Sequence, residues 1–446
     1  MEPAGSSASA PTTADQSDSY TWWTLPRRHY VLFILCLVGI VNFVDRQILA
    51  ILLEPIKTDL GVSDTAMGLL SGIAFSTFYV IAGIPIARMV DKGSRRNVLV
   101  GCLTIWSLAT VLCGFVQNFV QLALARIGVA SGEAGGGPAT QSLLADLYPV
   151  SQRATVIGIW LAAQAIGIAF GLFFGGWLNT AFDWRIAFIV VGLPGLLLAV
   201  GIHLTVKDPP RGMADAGTGI APPVETPPFR ETFAFAFRSP PLRLLLVVAM
   251  CCSFAGYSIL GWGPTFYIRV HDMTTMQVGG MMGLAVAGGL FLGNVGAGRI
   301  ADRVAKGDFA VYMRVAGWGT ILAAPFGLLF LLARDPMMSL FGLFMSKLFM
   351  TFWMPPTYAV AVGMSPVRNR GMITALLTLS TTVVGIGLGP VFVGVMNDLL
   401  EPAFGKEAIR YSLVFVLGGL VACGLLCFVA ARLVRQELAG RAGSAG

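Results

Sequence analysis

The chain has 446 residues, of which 56 % are apolar and only 12 % charged. Water-soluble chains usually carry about 25 % charged residues, and no core of ordinary size hides this much apolar surface from water, so lipid has to cover it. The net charge of +7 does not mark a nucleic-acid binder, because the basic residues lie in short loops between apolar runs and form no basic face.

Residues 1–29 open on a stretch rich in Ser, Ala and Thr that holds Asp15 and Asp18. The stretch lacks the positive start and apolar centre of a signal peptide, so a disordered cytoplasmic tail is expected. Six apolar runs follow, at about 30–53, 66–88, 97–116, 119–145, 153–180 and 186–206. Residues 207–240 contain Pro209, Pro210, Pro222, Pro223, Pro227 and Pro228 and read as a cytoplasmic linker. Six more runs fall at about 241–264, 276–300, 310–333, 336–362, 371–397 and 409–433, and a cytoplasmic tail, 435–446, closes the chain. A helix needs about 20 apolar residues to cross hydrocarbon, and only a helix pairs all its own backbone groups there. The runs are too long for barrel strands. The expected fold is an all-α integral membrane protein. It has twelve transmembrane helices in two pseudo-symmetric six-helix bundles, 30–206 and 241–434. The seven cysteines all lie inside apolar runs without metal-ligand spacing and read as small packing residues.

Lysine and arginine set the orientation. With the N-terminus inside, 21 of the 30 fall on the inner side and 6 on the outer side, with Arg46, Arg126 and Lys347 inside spans. Both termini and the linker are therefore expected in the cytoplasm. The halves also repeat. Tyr148-Pro149-Val150-Ser151-Gln152-Arg153 corresponds to Ser365-Pro366-Val367-Arg368-Asn369-Arg370, and the same offset pairs Pro138 with Pro355. Two parallel six-helix repeats suit a rocking transporter with its substrate site between them.

Ionisable residues inside spans are functional candidates by default. The first half has four: Asp45, Arg46, Arg126 and Glu133. At about 1.5 Å per residue, Asp45 and Arg126 lie at similar depth, with Glu133 roughly 10 Å further towards the cytoplasm. A proton-coupling network of Asp45, Glu133 and Arg126 is expected, in which a protonated carboxylate frees an arginine for an anionic headgroup. Arginine suits phosphate or carboxylate through its planar fork, and Arg46 is assigned to substrate, with Arg126 left for Asp45. A static cluster that only fixes packing is the alternative. The second half differs. Helix ten carries Phe349, Phe352 and Trp353 beside Met350 and Met354, so a charged half faces an apolar one, as an amphiphile would require. Lys347 either holds an anionic group, pairs across to the first half, or bonds backbone carbonyls. Tyr257, Trp262 and Tyr267 either line the cavity or pack in the core.

The stretch Ala87-Arg88-Met89-Val90-Asp91-Lys92-Gly93-Ser94-Arg95-Arg96 resembles the signature loop of the major facilitator superfamily, with Ala87 where glycine is usual. Gly298–Arg303 resembles a second copy that lacks the trailing basic pair. Asn42-Phe43-Val44-Asp45-Arg46 and Arg126-Ile127-Gly128-Val129-Ala130-Ser131-Gly132-Glu133-Ala134 are similar to the spinster branch, whose members move lysolipids and sphingolipid phosphates, often with protons. The resemblance implies that Asp91, Arg95, Arg96, Asp302 and Arg303 gate the cytoplasmic side. It also implies a monomer powered by a proton gradient without other cofactors. Short tails and compact loops point to a bacterial inner membrane.

Other functions remain open. A membrane enzyme would need a catalytic cluster, but His29, His203 and His271 show no metal spacing, and no nucleophile elbow or Walker loop occurs. A proton-coupled carrier of a small organic anion or drug is the main alternative, and a non-transporting sensor or scramblase is another.

Overall fold

The computed structural model describes residues 23–214 and 229–443, and all regular elements within them are helical. The first half comprises α1 (Leu25–Leu60), α2 (Asp64–Lys92), α3 (Arg95–Cys113), α4 (Phe119–Glu133, resumed as Gly136–Leu147), α5 (Val150–Ala181) and α6 (Trp184–Thr205). The second comprises α7 (Pro240–Val270), α8 (Thr275–Ala305), α9 (Phe309–Leu332), α10 (Pro336–Gly363), α11 (Arg370–Ser380 and Gly389–Phe404, joined by the π-helical Thr381–Leu388) and α12 (Ala408–Gly443). Ten helical segments are individually long and apolar enough to span. One of them, Arg370–Gly440, doubles back at the 3-10 turn Gly405–Glu407, and α4 is split into two short pieces. The described residues thus make the twelve crossings that the hydropathy pattern requires.

Caps explain where the helices start. The side chains of Ser63, Ser94, Asn118, Asp183, Asp308 and Asp335 each accept a hydrogen bond from a first-turn backbone N–H. Thr274 and Gln277 form a reciprocal capping box. Each such cap stabilises its helix by about 1 kcal/mol. Gly61, at φ 62°, ends α1 in the left-handed conformation that glycine adopts without strain.

The boundaries differ from expectation in three places. Residues 25–29, expected in the disordered tail, already belong to α1; 1–22 lie outside the described residues. Residues 435–443 of the expected C-terminal tail continue α12, and 444–446 lie outside the described residues. The linker 207–240 contains a helix, Phe229–Arg238, while 215–228 lie outside the described residues. Thr232, Ala236 and Ser239 are buried at helical spacing, so docking against the second bundle holds this short segment helical.

The halves meet along two seams, α2 with α11 and α5 with α8, and α1 also meets α7. The six-helix repeat maps α2 onto α8 and α5 onto α11, so a pseudo-two-fold exchanges the seams. Small residues make both possible. A β-carbon on Gly68 would lie 2.7 Å from the Pro390 carbonyl oxygen, and one on Gly283 3.0 Å from that of Ala169.

The polar bonds that tie the halves together gather at the end assigned to the outside. Arg269 on α7 donates to Glu54 on α1 at 2.5 Å and to Asp64 on α2 at 2.6 Å. Asp64 also accepts from Asn397 at 2.9 Å, and Asp398 accepts from the backbone N–H of Asp64 and Thr65. On the other seam Asn179 and Thr180 bond Thr275 at 3.1 Å. These bonds hold the two halves together at this end. Arg269→Ala leaves Asp64, whose side chain is 2 % exposed, with Lys57 at 2.7 Å as its remaining cation, so the cost falls below the about 3–5 kcal/mol of a buried charge left without any partner. Spin-label distances across the outer ends of α1 and α7 should lengthen in this variant. An unchanged distribution would show that the cluster does not hold the outer end shut.

Candidate functional site

The charged residues of α1 and α4 meet at the centre of the first bundle. Arg46 Nε donates to Glu133 Oε2 at 2.5 Å, with the Glu133 side chain fully buried. The Arg46 guanidinium sits 5.5 Å from the ring centre of Phe43 and 5.3 Å from those of Phe75 and Tyr79. Such cation–π contacts partly replace lost water. Arg46 was expected to be available to substrate; here Glu133 holds it. Arg126 was expected to pair with the Asp45 carboxylate. It reaches the Asp45 backbone carbonyl instead, at 3.5 Å, and lies 5.7 Å from the Phe75 ring centre. Both carboxylate oxygens of the fully buried Asp45 lack a hydrogen-bond partner, although Thr110 and Trp106 face them. An orphaned buried carboxylate calls for a functional explanation.

The local sequence brings these groups together. A β-carbon on Gly132 would lie 2.6 Å from the Trp106 backbone nitrogen, so α3 and α4 approach closely there. The chain then breaks at Ala134-Gly135 between the two pieces of α4. Glu133 ends the outer piece and faces α1 beside Trp106.

The central cavity has three larger compartments and a smaller one of ≈ 80 Å³ beside Arg46 and Arg126, all touched by Phe43. A polar one of ≈ 190 Å³ lies against the first half, beside Glu133 and Arg46. A second, of ≈ 220 Å³, faces the second half and is lined by Lys347, Tyr257, Trp353 and Tyr358. A third, of ≈ 470 Å³, lies between α5, α8 and α10 and is lined mainly by apolar side chains such as Leu161, Ile168, Leu290 and Phe291. Lys347 is 3 % exposed and donates to the Gly256 carbonyl at 3.1 Å. Among the aromatic residues expected on helix ten, Trp353 lines the cavity. Phe349 and Phe352 do not: Phe349 stacks on Phe326 at 5.6 Å, and Phe352 packs against Phe349 and Gly319. They fill the α9–α10 contact because Gly319 leaves room there. Tyr257 lines the cavity, whereas Trp262 bonds the Pro390 carbonyl and Tyr267 the Ser339 hydroxyl in the core.

The expected gate residues do not join the halves in this structure. Arg95 pairs with Asp146 and with Asp208, at 3.1 Å for the latter, and Arg96 bonds Asn97 and the Val206 carbonyl, all within the first half and the start of the linker. Asp302 accepts from Tyr312 at 2.6 Å, and Asp91 and Arg303 are exposed. The outer lock around Arg269 escaped the sequence reading. Its signal was an arginine on the outer side near acidic Glu54 and Asp64, against the general inward bias of basic residues. Tyr79 and Phe75, one helical turn apart, escaped it too.

The Arg46–Glu133 pair should be cooperative. Arg46→Gln and Glu133→Gln should each destabilise the detergent-solubilised protein by about 3–5 kcal/mol. The double variant should recover about 0.5–3 kcal/mol of their sum. Strict additivity in unfolding experiments would show that the pair is not coupled.

The sequence profile of the Major Facilitator Superfamily matches residues 35–313. An MFS-type efflux pump of Mycolicibacterium smegmatis is 31 % identical over 410 residues, covering 90 % of this chain and 92 % of that protein. Human protein spinster homolog 1 is 25 % identical, covering 92 % of this chain and 83 % of the human one. The crystal structure of a bacterial homologue of the human lysosomal transporter Spinster, inward-facing and unoccupied, superimposes with a TM-score of 0.81 at 28 % identity. The match covers 93 % of this chain and 99 % of that one. With this fold and these charged helices, the chain belongs to the Major Facilitator Superfamily, as a spinster-like multi-pass membrane transporter and not an enzyme.

Proposed function

We propose that the protein moves an amphiphile with an anionic headgroup, of lysolipid or sphingolipid-phosphate type, by proton-coupled alternating access. One observation carries this reading. Arg46, which lines the polar compartment, is held by one carboxylate, Glu133, next to the unpaired Asp45, while the roomiest compartment is apolar. A headgroup and Glu133 compete for the same guanidinium. Burying an unpaired charge is expensive, and a proton on Glu133 or Asp45 removes that expense as the anion takes Arg46. The tail lies between α5 and α8, and Lys347 offers the headgroup a second cation from the opposite half.

Protonation and substrate binding then bias the rocking of the halves. Breaking the Arg269 lock opens the outer end. Asp91, Arg95, Arg96, Asp302 and Arg303 close the inner end in the opposite state. The transporter works as a monomer in a bacterial inner membrane with both termini in the cytoplasm, driven by the proton gradient. The relative from Mycolicibacterium smegmatis, an efflux pump, favours a second reading, export of a small organic anion or drug.

Liposomes holding the purified protein and a lumenal pH dye separate these readings. A lysophospholipid or sphingoid phosphate should drive proton flux in wild type, and Asp45→Asn should reduce it by about tenfold or more. Proton flux driven only by small organic anions would establish the second reading instead.

A further inference from the structure

The polar compartment beside Glu133 carries more hydrogen-bonding capacity than the exchange at Arg46 uses. Glu133 Oε1, Trp106 Nε1, Thr140 Oγ1 and Trp160 Nε1 are buried without a protein partner, and all four residues line this one space. Their residue exposures run from 0 % for Trp106 and Thr140 to 8 % for Trp160. The carboxylate oxygen accepts, the two indoles only donate, and the hydroxyl does both. A buried water typically makes about three hydrogen bonds, and such a mixture of donors and acceptors supplies them. The compartment of ≈ 190 Å³ has room for about six waters at about 30 Å³ each. Glycines keep it open. Nothing lies within 4 Å of where a β-carbon on Gly137 would stand, and one on Gly39 would lie 3.1 Å from the Trp160 indole nitrogen.

We propose that this compartment is a built water site through which protons reach and leave Glu133, apart from the apolar path of the substrate tail. The inference rests on the proton coupling proposed above and adds its route. The charged and titratable groups around it are Asp45 and Arg46 on α1, Tyr79 on α2 and Arg126 and Glu133 on α4, while Tyr257 on α7 faces Arg46. α3 and α5 supply only Trp106, Trp160 and Gln164. Arginine does not release its proton in proteins, so Arg46 divides the route without carrying it. An indole donates but cannot accept, so Trp106 and Trp160 orient water. Among the four unpartnered groups Thr140 alone can accept one proton while donating another without changing its charge. Trp106 also faces Asp45, which extends the ordered water towards the second carboxylate.

The test uses the full-length protein in liposomes with a lysophospholipid probe and the variants Thr140→Val and Thr140→Ser. Valine keeps the shape and removes the hydroxyl; serine restores it. Two rates are compared. One is uptake driven by a pH gradient. The other is exchange of labelled for unlabelled probe at equal pH, which moves no net proton. Thr140→Val should slow driven uptake by about tenfold while leaving exchange unchanged, and Thr140→Ser should restore uptake. Equal driven uptake in wild type and Thr140→Val overturns the route. So does a parallel loss of uptake and exchange that serine does not rescue, which marks a packing role. Wild-type exchange together with uptake that does not respond to the pH gradient would instead overturn the coupling itself and leave the route with nothing to carry.

Discussion

A charge placed in hydrocarbon has to be neutralised by a partner, a proton or water. In this transporter the centre of the first bundle holds four charged side chains and satisfies them unequally. Arg46 and Glu133 make a short ion pair, Arg126 leans on a backbone carbonyl and an aromatic ring, and Asp45 has no hydrogen-bond partner. A fully paired cluster would be a staple. An incompletely paired one is poised to change protonation or to accept a ligand, because either event relieves an unsatisfied group. The break in α4 and the glycines facing Trp106 serve to place Glu133 within reach of α1.

The second bundle contributes little charge to the cavity. Lys347 is its one buried cation among the described residues, bonded to the Gly256 carbonyl. The wall around it is aromatic and aliphatic. This division places polar chemistry on one side of the seam and apolar volume on the other. The seams themselves are built from small residues, which lets them separate with little loss of interdigitated packing. The outer end adds the Arg269 cluster, whose ionic bonds hold one extreme of the rocking motion.

The fold was legible because hydrocarbon imposes a simple rule: long apolar runs must be helices, and loop charges orient them. Asp45, Arg46, Arg126 and Glu133 were legible for the same reason, since charge inside a span is expensive enough to need a purpose. Pairing was harder. Depth along separate helices does not specify how they rotate about their axes, so Arg46 took the glutamate assigned to no arginine. Phe349 and Phe352 looked like cavity residues because composition does not tell a helix's cavity face from its packed face; Gly319 on α9 decided the matter. The lock around Arg269 depends on residues from both halves, and an arginine on the outer side was its one local signal. The helix Phe229–Arg238 was masked by the prolines that precede it.

The exchange of an anion for a carboxylate at Arg46 makes a direct thermodynamic demand. If substrate displaces Glu133 and a proton neutralises the released group, binding must draw protons from the buffer. Calorimetric titration of the detergent-solubilised protein with a lysophospholipid, repeated in buffers of differing ionisation enthalpy, counts those protons. Net uptake on binding, abolished in Glu133→Gln, is the expected result. Binding with no proton uptake in wild type would contradict the exchange at its root.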